Sequence, residues 1–124
     1  FHKEAEDIRR WNILHPESEP KKSYLEKMIN SNNGPVIAVS DYVKLVSEQI
    51  APYINCPFVA LGTDGFGRSD TRENLRDFFE VNRYYIILYA IDKLAKIGKV
   101  NKKMISECIN KYNIDLEKPN PFKI

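Results

Sequence analysis

A chain of 124 residues is long enough for one domain or for a piece of one. Hydrophobic residues make up 43% and charged residues 29%, which excludes a disordered chain, and a net charge of +2 with acidic residues beside the basic clusters "NKKM" and "EPKKS" gives no reason to expect nucleic acid. The longest apolar stretch, "YYIILYAI", falls far short of the ~20 residues that span a bilayer, so no membrane partner is expected.

"FHKEAEDIRRW" sets Phe1, Ala5, Ile8 and Trp11 on one face and predicts a short amphipathic helix. The chain therefore opens inside a helix and without an initiator methionine, and the expectation is the tail end of something longer. "HPESEPKKS" breaks the pattern with two prolines and predicts an exposed loop. "YLEKMIN" reads as one or two helical turns, or as a loop with an apolar side, and "SNNGP" as a turn.

"VIAV", Val36 to Val39, is apolar on both faces, as are strands buried within a parallel sheet. Ser40 and Asp41 follow as N-cap candidates. Tyr42, Leu45, Val46, Gln49, Ile50 and Tyr53 then keep helical spacing, which predicts a helix over Asp41–Ala51, closed by Pro52 and packed on one face of the sheet. "PFVAL", Pro57 to Leu61, repeats the strand pattern, and a glycine loop leads from it to a further helix beginning near Thr71, with Asp70 and Glu73 as a D-x-x-E capping box.

"YYIILYAIDKLAKIG" starts like a strand, but Ile87, Ile91, Leu94 and Ala95 hold helical spacing and Gly98 suits a helix end, so a buried helix is predicted. "NKKMISECINKY" predicts another, with Asn101 as N-cap and Met104, Ile105, Cys108, Ile109 and Tyr112 as its apolar face. The proline-punctuated tail "NIDLEKPNPFKI" is expected along the surface. Strand, helix, strand, helix with short connections is an α/β pattern, a parallel pair with a right-handed crossover. Two strands make no stable sheet by themselves, so further strands are expected upstream.

"LGTDGFGRSDTREN" gathers three of the five glycines within six positions, directly after a strand and before a helix. Gly62, Gly65 and Gly67 read G-x-x-G-x-G, the reverse of the dinucleotide fingerprint. No G-K-[ST] is present, and Ser69 lies between Arg68 and Asp70, which is not a nucleophile elbow. The favoured reading is a strand-to-helix reversal, for which glycine supplies the backbone freedom. The alternative is a small α/β module that holds a phosphorylated ligand on Arg68 and the open N–H groups of the helix start. Thr63-Asp64-Gly65 is one residue off the G-D-G metal motif of thiamine-diphosphate enzymes, and Asp64 lacks the asparagine partner, so a turn or cap role is expected. His2 and His15 have no ligand set around them, and Tyr84, Tyr85 and Tyr89 read as core or interface. Cys56 and Cys108 lie far apart, no signal-peptide core or N-x-S/T sequon occurs, and a cytoplasmic setting with both thiols as small core residues is expected.

"RRWNILHP", "SDYVKLVSEQIAPYI", "LGTDGFGRSDTRENLRDFFEVNRYYI", "LAKIGKVNKK" and "NID…NP", in that order, resemble the C-terminal end of the homodimeric bacterial pyruvate dehydrogenases. These are the thiamine-dependent, decarboxylating first components of the pyruvate dehydrogenase complex. The similarity runs from about Trp11 to the C-terminus, "GTDGFGRSDTRENLR" is its most specific part, and Phe66 to Ser69 also resemble a loop of the transketolases. The resemblance implies that residues 1–124 are the third of three α/β domains, a partial parallel-sheet, transketolase C-terminal-domain-like fold lacking its first strands. It implies an oxidoreductase parent that decarboxylates pyruvate and reductively acetylates lipoyl groups with thiamine diphosphate and magnesium. Its partners would be the upstream domains, a homodimer mate and the lipoyl-bearing dihydrolipoamide acetyltransferase. The catalytic, cofactor and metal residues would all lie upstream of Phe1, so none is assigned here and the piece alone is expected to be inactive. Gly62, Asp64, Gly65, Phe66, Gly67, Arg68 and Ser69 are then the candidate site, a loop that seats this domain against its neighbours.

Overall fold

The computed structural model describes residues 1–29, 34–65 and 69–123. Its elements are α1 (His2–Leu14), α2 (Tyr24–Ile29), β1 (Val36–Val39), α3 (Lys44–Glu48), β2 (Phe58–Leu61), α4 (Arg72–Phe78), α5 (Arg83–Lys96) and α6 (Lys103–Lys111). Single 3-10 turns occupy Ala51–Tyr53 and Pro121–Lys123. Of the predicted turn at "SNNGP", residues 31–33 lie outside the described residues.

β1 and β2 pair in parallel, with Val36 opposite Phe58 and Val39 opposite Leu61. They are the two strands of the sheet among the described residues. α5 packs across both strands and against α6. The strand-like composition at the start of α5 is overridden because Asn82 caps it, accepting the N–H groups of Tyr84 and Tyr85 at 3.1 Å each.

At the other end, α1 and α2 pack on the 3-10 turn through Ala5, Leu25 and Tyr53, with Ile29, Ile50 and Ile54 around them. Ala5 and Leu25 are buried, whereas Phe1 lies exposed and stacks on Tyr24. α2 starts with a full capping box. Ser23 Oγ accepts the Glu26 N–H at 3.1 Å, and the Ser23 N–H donates back to Glu26 at 2.7 Å. The Tyr53 hydroxyl donates to Glu6, holding that carboxyl below its ordinary range, with Arg9 adding to the effect. His15 stacks on Trp11 and bonds its carbonyl oxygen at 2.8 Å.

Three helices end alike. α4, α5 and α6 are each followed by a residue of positive φ: Glu80 at 60°, Gly98 at 75° and Asn113 at 51°. The next N–H then reaches back to a carbonyl five residues earlier: Val81 to Arg76 at 2.9 Å, Lys99 to Leu94 at 2.9 Å and Ile114 to Ile109 at 3.1 Å. These are Schellman ends, in which otherwise orphaned carbonyls find donors. Asn101 serves the start of α6, accepting the Lys103 N–H at 2.9 Å, although the boundary residue is Lys102.

α3 departs from expectation. A helix over Asp41–Ala51 is predicted, but the helical segment is Lys44–Glu48, and Leu45 and Val46 are 67% and 49% exposed. Ser40 and Asp41 do not cap it. The Ser40 hydroxyl is spent on the Tyr42 N–H at 2.9 Å, a local turn that delays the helix start. Pro52 then sits inside the 3-10 turn rather than ending a helix.

Candidate functional site

The loops that leave β1 and β2 at the same edge of the sheet press against one another. Gly62 is buried between them, and a Cβ there would lie 2.4 Å from the Tyr42 carbonyl oxygen and 3.0 Å from the Lys44 nitrogen. Both are backbone atoms, so this close approach demands glycine. The contact is zipped by three hydrogen bonds. The Thr63 N–H donates to Tyr42 O at 2.9 Å, the Thr63 hydroxyl to Asp41 O at 2.9 Å, and the Lys44 N–H to Asp64 Oδ1 at 2.9 Å.

Asp64 thus caps α3 from the neighbouring loop. Its carboxylate satisfies the first N–H of a helix that has no side-chain cap of its own. Gly65 follows with φ at 100°, in the left-handed region, and Ser69 is exposed. Phe66, Gly67 and Arg68, the centre of the loop and its predicted cation, lie outside the described residues.

The expected capping box at the start of α4 moves by one residue. Thr71 is the cap and accepts the Asn74 N–H at 3.3 Å. Asp70 accepts the Thr71 N–H at 2.6 Å and the Asn74 side-chain amide at 3.1 Å. The Asn74 amide first, and the Thr71 N–H second, hold the Asp70 carboxyl below its ordinary range. A carboxylate and a hydroxyl of the chain itself therefore already serve this helix start.

Sequence reasoning missed what meets the loop from outside. The C-terminal tail returns to it: Pro121 is buried, with its carbonyl oxygen 3.1 Å from where a Gly65 Cβ would stand. Lys118 approaches the far end of α4, where its ammonium donates to the Asp77 carbonyl and lies 4.0 Å from the Glu80 carboxylate. Folding alone brings these residues to the loop, because neither carries a motif.

Beside the loop, a groove of about 880 Å³ runs from Ser40 and Asp41 along α4 to Arg83 and Tyr84. Arg72, Arg76 and Arg83 line it, but so do Asp41, Glu73 and Asp77, a balance that suits a mixed-charge protein surface better than a small anion. Tyr42, Val43, Leu45 and Val46 lie exposed on the adjoining stretch at α3.

Among the described residues no three His, Cys, Asp or Glu side chains gather as metal ligands. Asp64 and Asp70 each spend a carboxylate oxygen on a backbone N–H group. Cys108 is buried, which pushes its thiol pKa up and away from reactivity, and Cys56 is partly buried. Among the described residues no helix is long and apolar enough to cross a membrane. The arrangement is a braced joint between two loops and a tail.

The family profile described as "Transketolase-like TK C-terminal domain" matches residues 7–82, from within α1 to the cap of α5. Proteins named "Pyruvate dehydrogenase E1 component" align along nearly the whole chain. The one from Cupriavidus necator is 49% identical over 98% of this chain and 14% of its own length. That from Pseudomonas aeruginosa is 50% identical over 93% of this chain and 13% of its own length. That from Escherichia coli K12 is 44% identical over 96% and 13%. The chain therefore spans about a seventh of the length of the curated relatives it matches.

Proposed function

The chain belongs to the transketolase-like C-terminal domain family, and on that premise we propose that it is the C-terminal domain of a pyruvate dehydrogenase first component. The parent enzyme decarboxylates pyruvate with thiamine diphosphate and magnesium and passes the acetyl group reductively to lipoyl groups. It works in the cytoplasm as a homodimer, in a complex with a lipoyl-bearing acetyltransferase. The observation that carries this reading is identity near one half, sustained over 98% of the chain, to a protein of that name.

This domain's own part is to seat and brace. The two described strands fall below what an independent sheet needs, so the remaining strands come from upstream in the parent. Tyr42, Val43, Leu45 and Val46, held in place by the Gly62–Asp64 joint, form the apolar surface offered to the neighbouring domains or the dimer mate. Arg68 lies outside the described residues, and its expected supporting role at a domain interface rests on the sequence alone. The start of α4 is served by Thr71 and Asp70, and that weighs against the alternative of a phosphate-binding module.

Calorimetric titration of the 124-residue chain with thiamine diphosphate and magnesium tests the placement. A flat titration is expected, and micromolar binding would overturn it. In the parent enzyme, Leu45→Glu at the exposed face should weaken the dimer or lower turnover. Unchanged dimer dissociation and unchanged turnover would remove the seating role.

A further inference from the structure

We propose that the C-terminal segment Lys118–Phe122 is a strap that locks the Gly62–Gly65 turn, so that α3 keeps its outside cap only while the tail is seated. The proposal is independent of the reaction the parent catalyses.

The strap has two anchors. The first is Lys118, whose side chain is only 16% exposed. Its ammonium donates to the Asp77 carbonyl at the last turn of α4, where a cation also meets the negative end of the helix dipole. It lies 4.0 Å from Glu80 and 5.2 Å from the centre of the Tyr85 ring. Glu80 is held at φ 60°, a conformation that suits glycine, and in it the carboxylate faces the lysine. The second anchor is Pro121. Asn120 turns the chain by accepting the Phe122 N–H at 3.0 Å, which lays the Pro121 carbonyl directly on Gly65.

A small cavity of about 70 Å³ is lined by Lys44, Gly62 and Asp64 together with Asn120, Pro121 and Phe122 of the tail, and Glu80, which Lys118 approaches, lines it too. Tail and turn thus face each other across the residues that cap α3. Lifting the tail removes the backing of Gly65, and Asp64, its neighbour, is then held on the Lys44 N–H from one side only, by the Thr63 bonds to Tyr42 and Asp41. The exposed apolar stretch on α3 moves with that cap, so the tail segment controls a surface far from it in sequence.

Amide hydrogen exchange within the parent enzyme, read by mass spectrometry on peptides that cover these amides, tests this. In Lys118→Met, which keeps the aliphatic stem, the Lys44 and Thr63 N–H groups should exchange about tenfold faster or more. The Ala5 and Lys27 N–H groups at the other end should keep their rates, and Lys118→Arg should restore the slow exchange. Unchanged rates at Lys44 and Thr63, or an equal rise at all four amides, would overturn the proposal. Should Lys118→Met fail to fold, Glu80→Gln decides: a roughly threefold rise confined to Lys44 and Thr63 supports the strap, and its absence removes it.

Discussion

Helices α3 and α4 each follow a strand of the same parallel pair, yet one is capped by a residue twenty positions away and the other by its own neighbours. α4 carries Asp70, Thr71 and Asn74 in one short run, so its start is written locally. α3 has Val43 at its boundary with no side-chain cap, and its first N–H is left to Asp64. A helix capped from outside is tied to the loop that caps it. Here that tie joins the two crossover loops into one unit, whereas α4 depends on the loop only for its position.

Gly62→Ala should produce the largest effect, because it strikes the joint where neither side can yield. The added Cβ would meet the Tyr42 carbonyl at 2.4 Å, and backbone cannot swing aside as a side chain can. We expect a loss of about 3 kcal/mol, read as a fall in the urea midpoint. A variant as stable as the wild type would mean that the two loops are free to part.

Asp64→Ala comes next and separates the two helices. Removing an outside cap from a five-residue helix should cost about 1–2 kcal/mol. Asp64→Asn keeps an acceptor oxygen and should recover most of it. Exchange at the Lys44 N–H should rise while that at the Asn74 N–H, inside α4, stays put. Equal rises at both amides would erase the distinction between the helices.

The same contrast explains what was legible in the sequence. Both strands, their parallel pairing, and the existence of α1, α5 and α6 followed from apolar period and length, signals that survive any tertiary arrangement. The end of α5 followed from Gly98, since only a left-handed residue completes that turn. The start of α3 was misread because Ser40 and Asp41 look like caps, and the true cap is named only by folding. Ser23 and Glu26, at S-x-x-E spacing, form a full capping box, whereas at α4 the cap is Thr71 and not the Asp70 and Glu73 pair of like spacing. Of the candidate loop, the sequence marked Gly62 and Asp64 as important. It held no sign of Tyr42, Lys44 or Pro121, because a backbone carbonyl, a backbone N–H and a buried proline carry no motif.

Thr71→Ala removes a local cap that is exposed and 3.3 Å from its donor, so about 1 kcal/mol or less is expected. The loss should leave Lys44 exchange unchanged, the mirror image of Asp64→Ala. A shift at Lys44 would show that α4 supports the joint as well as following from it.

The smallest effect is the one that pH reveals. Asp70 accepts from the Asn74 amide and the Thr71 N–H, and both favour its charged form, so its folded pKa lies below the ordinary 3.8. A group depressed on folding contributes its stability in full above the unfolded pKa. That contribution fades as pH falls through the folded value, because the unfolded chain then binds the proton first. Glu6 is depressed in the same direction by Tyr53 and Arg9, so the acid limb of the wild type is a sum, and only a difference isolates Asp70. Urea midpoints of the wild type and Asp70→Asn, compared from about pH 7 down to about pH 2.5, supply that difference. The wild type should lead modestly at neutral pH, since the site is fully exposed to solvent and screened. The lead should shrink once pH drops below the ordinary carboxylate value. A gap that stays constant across the whole range would mean that Asp70 acts through its shape and hydrogen bonds and not its charge, and α4 would then be capped by geometry alone.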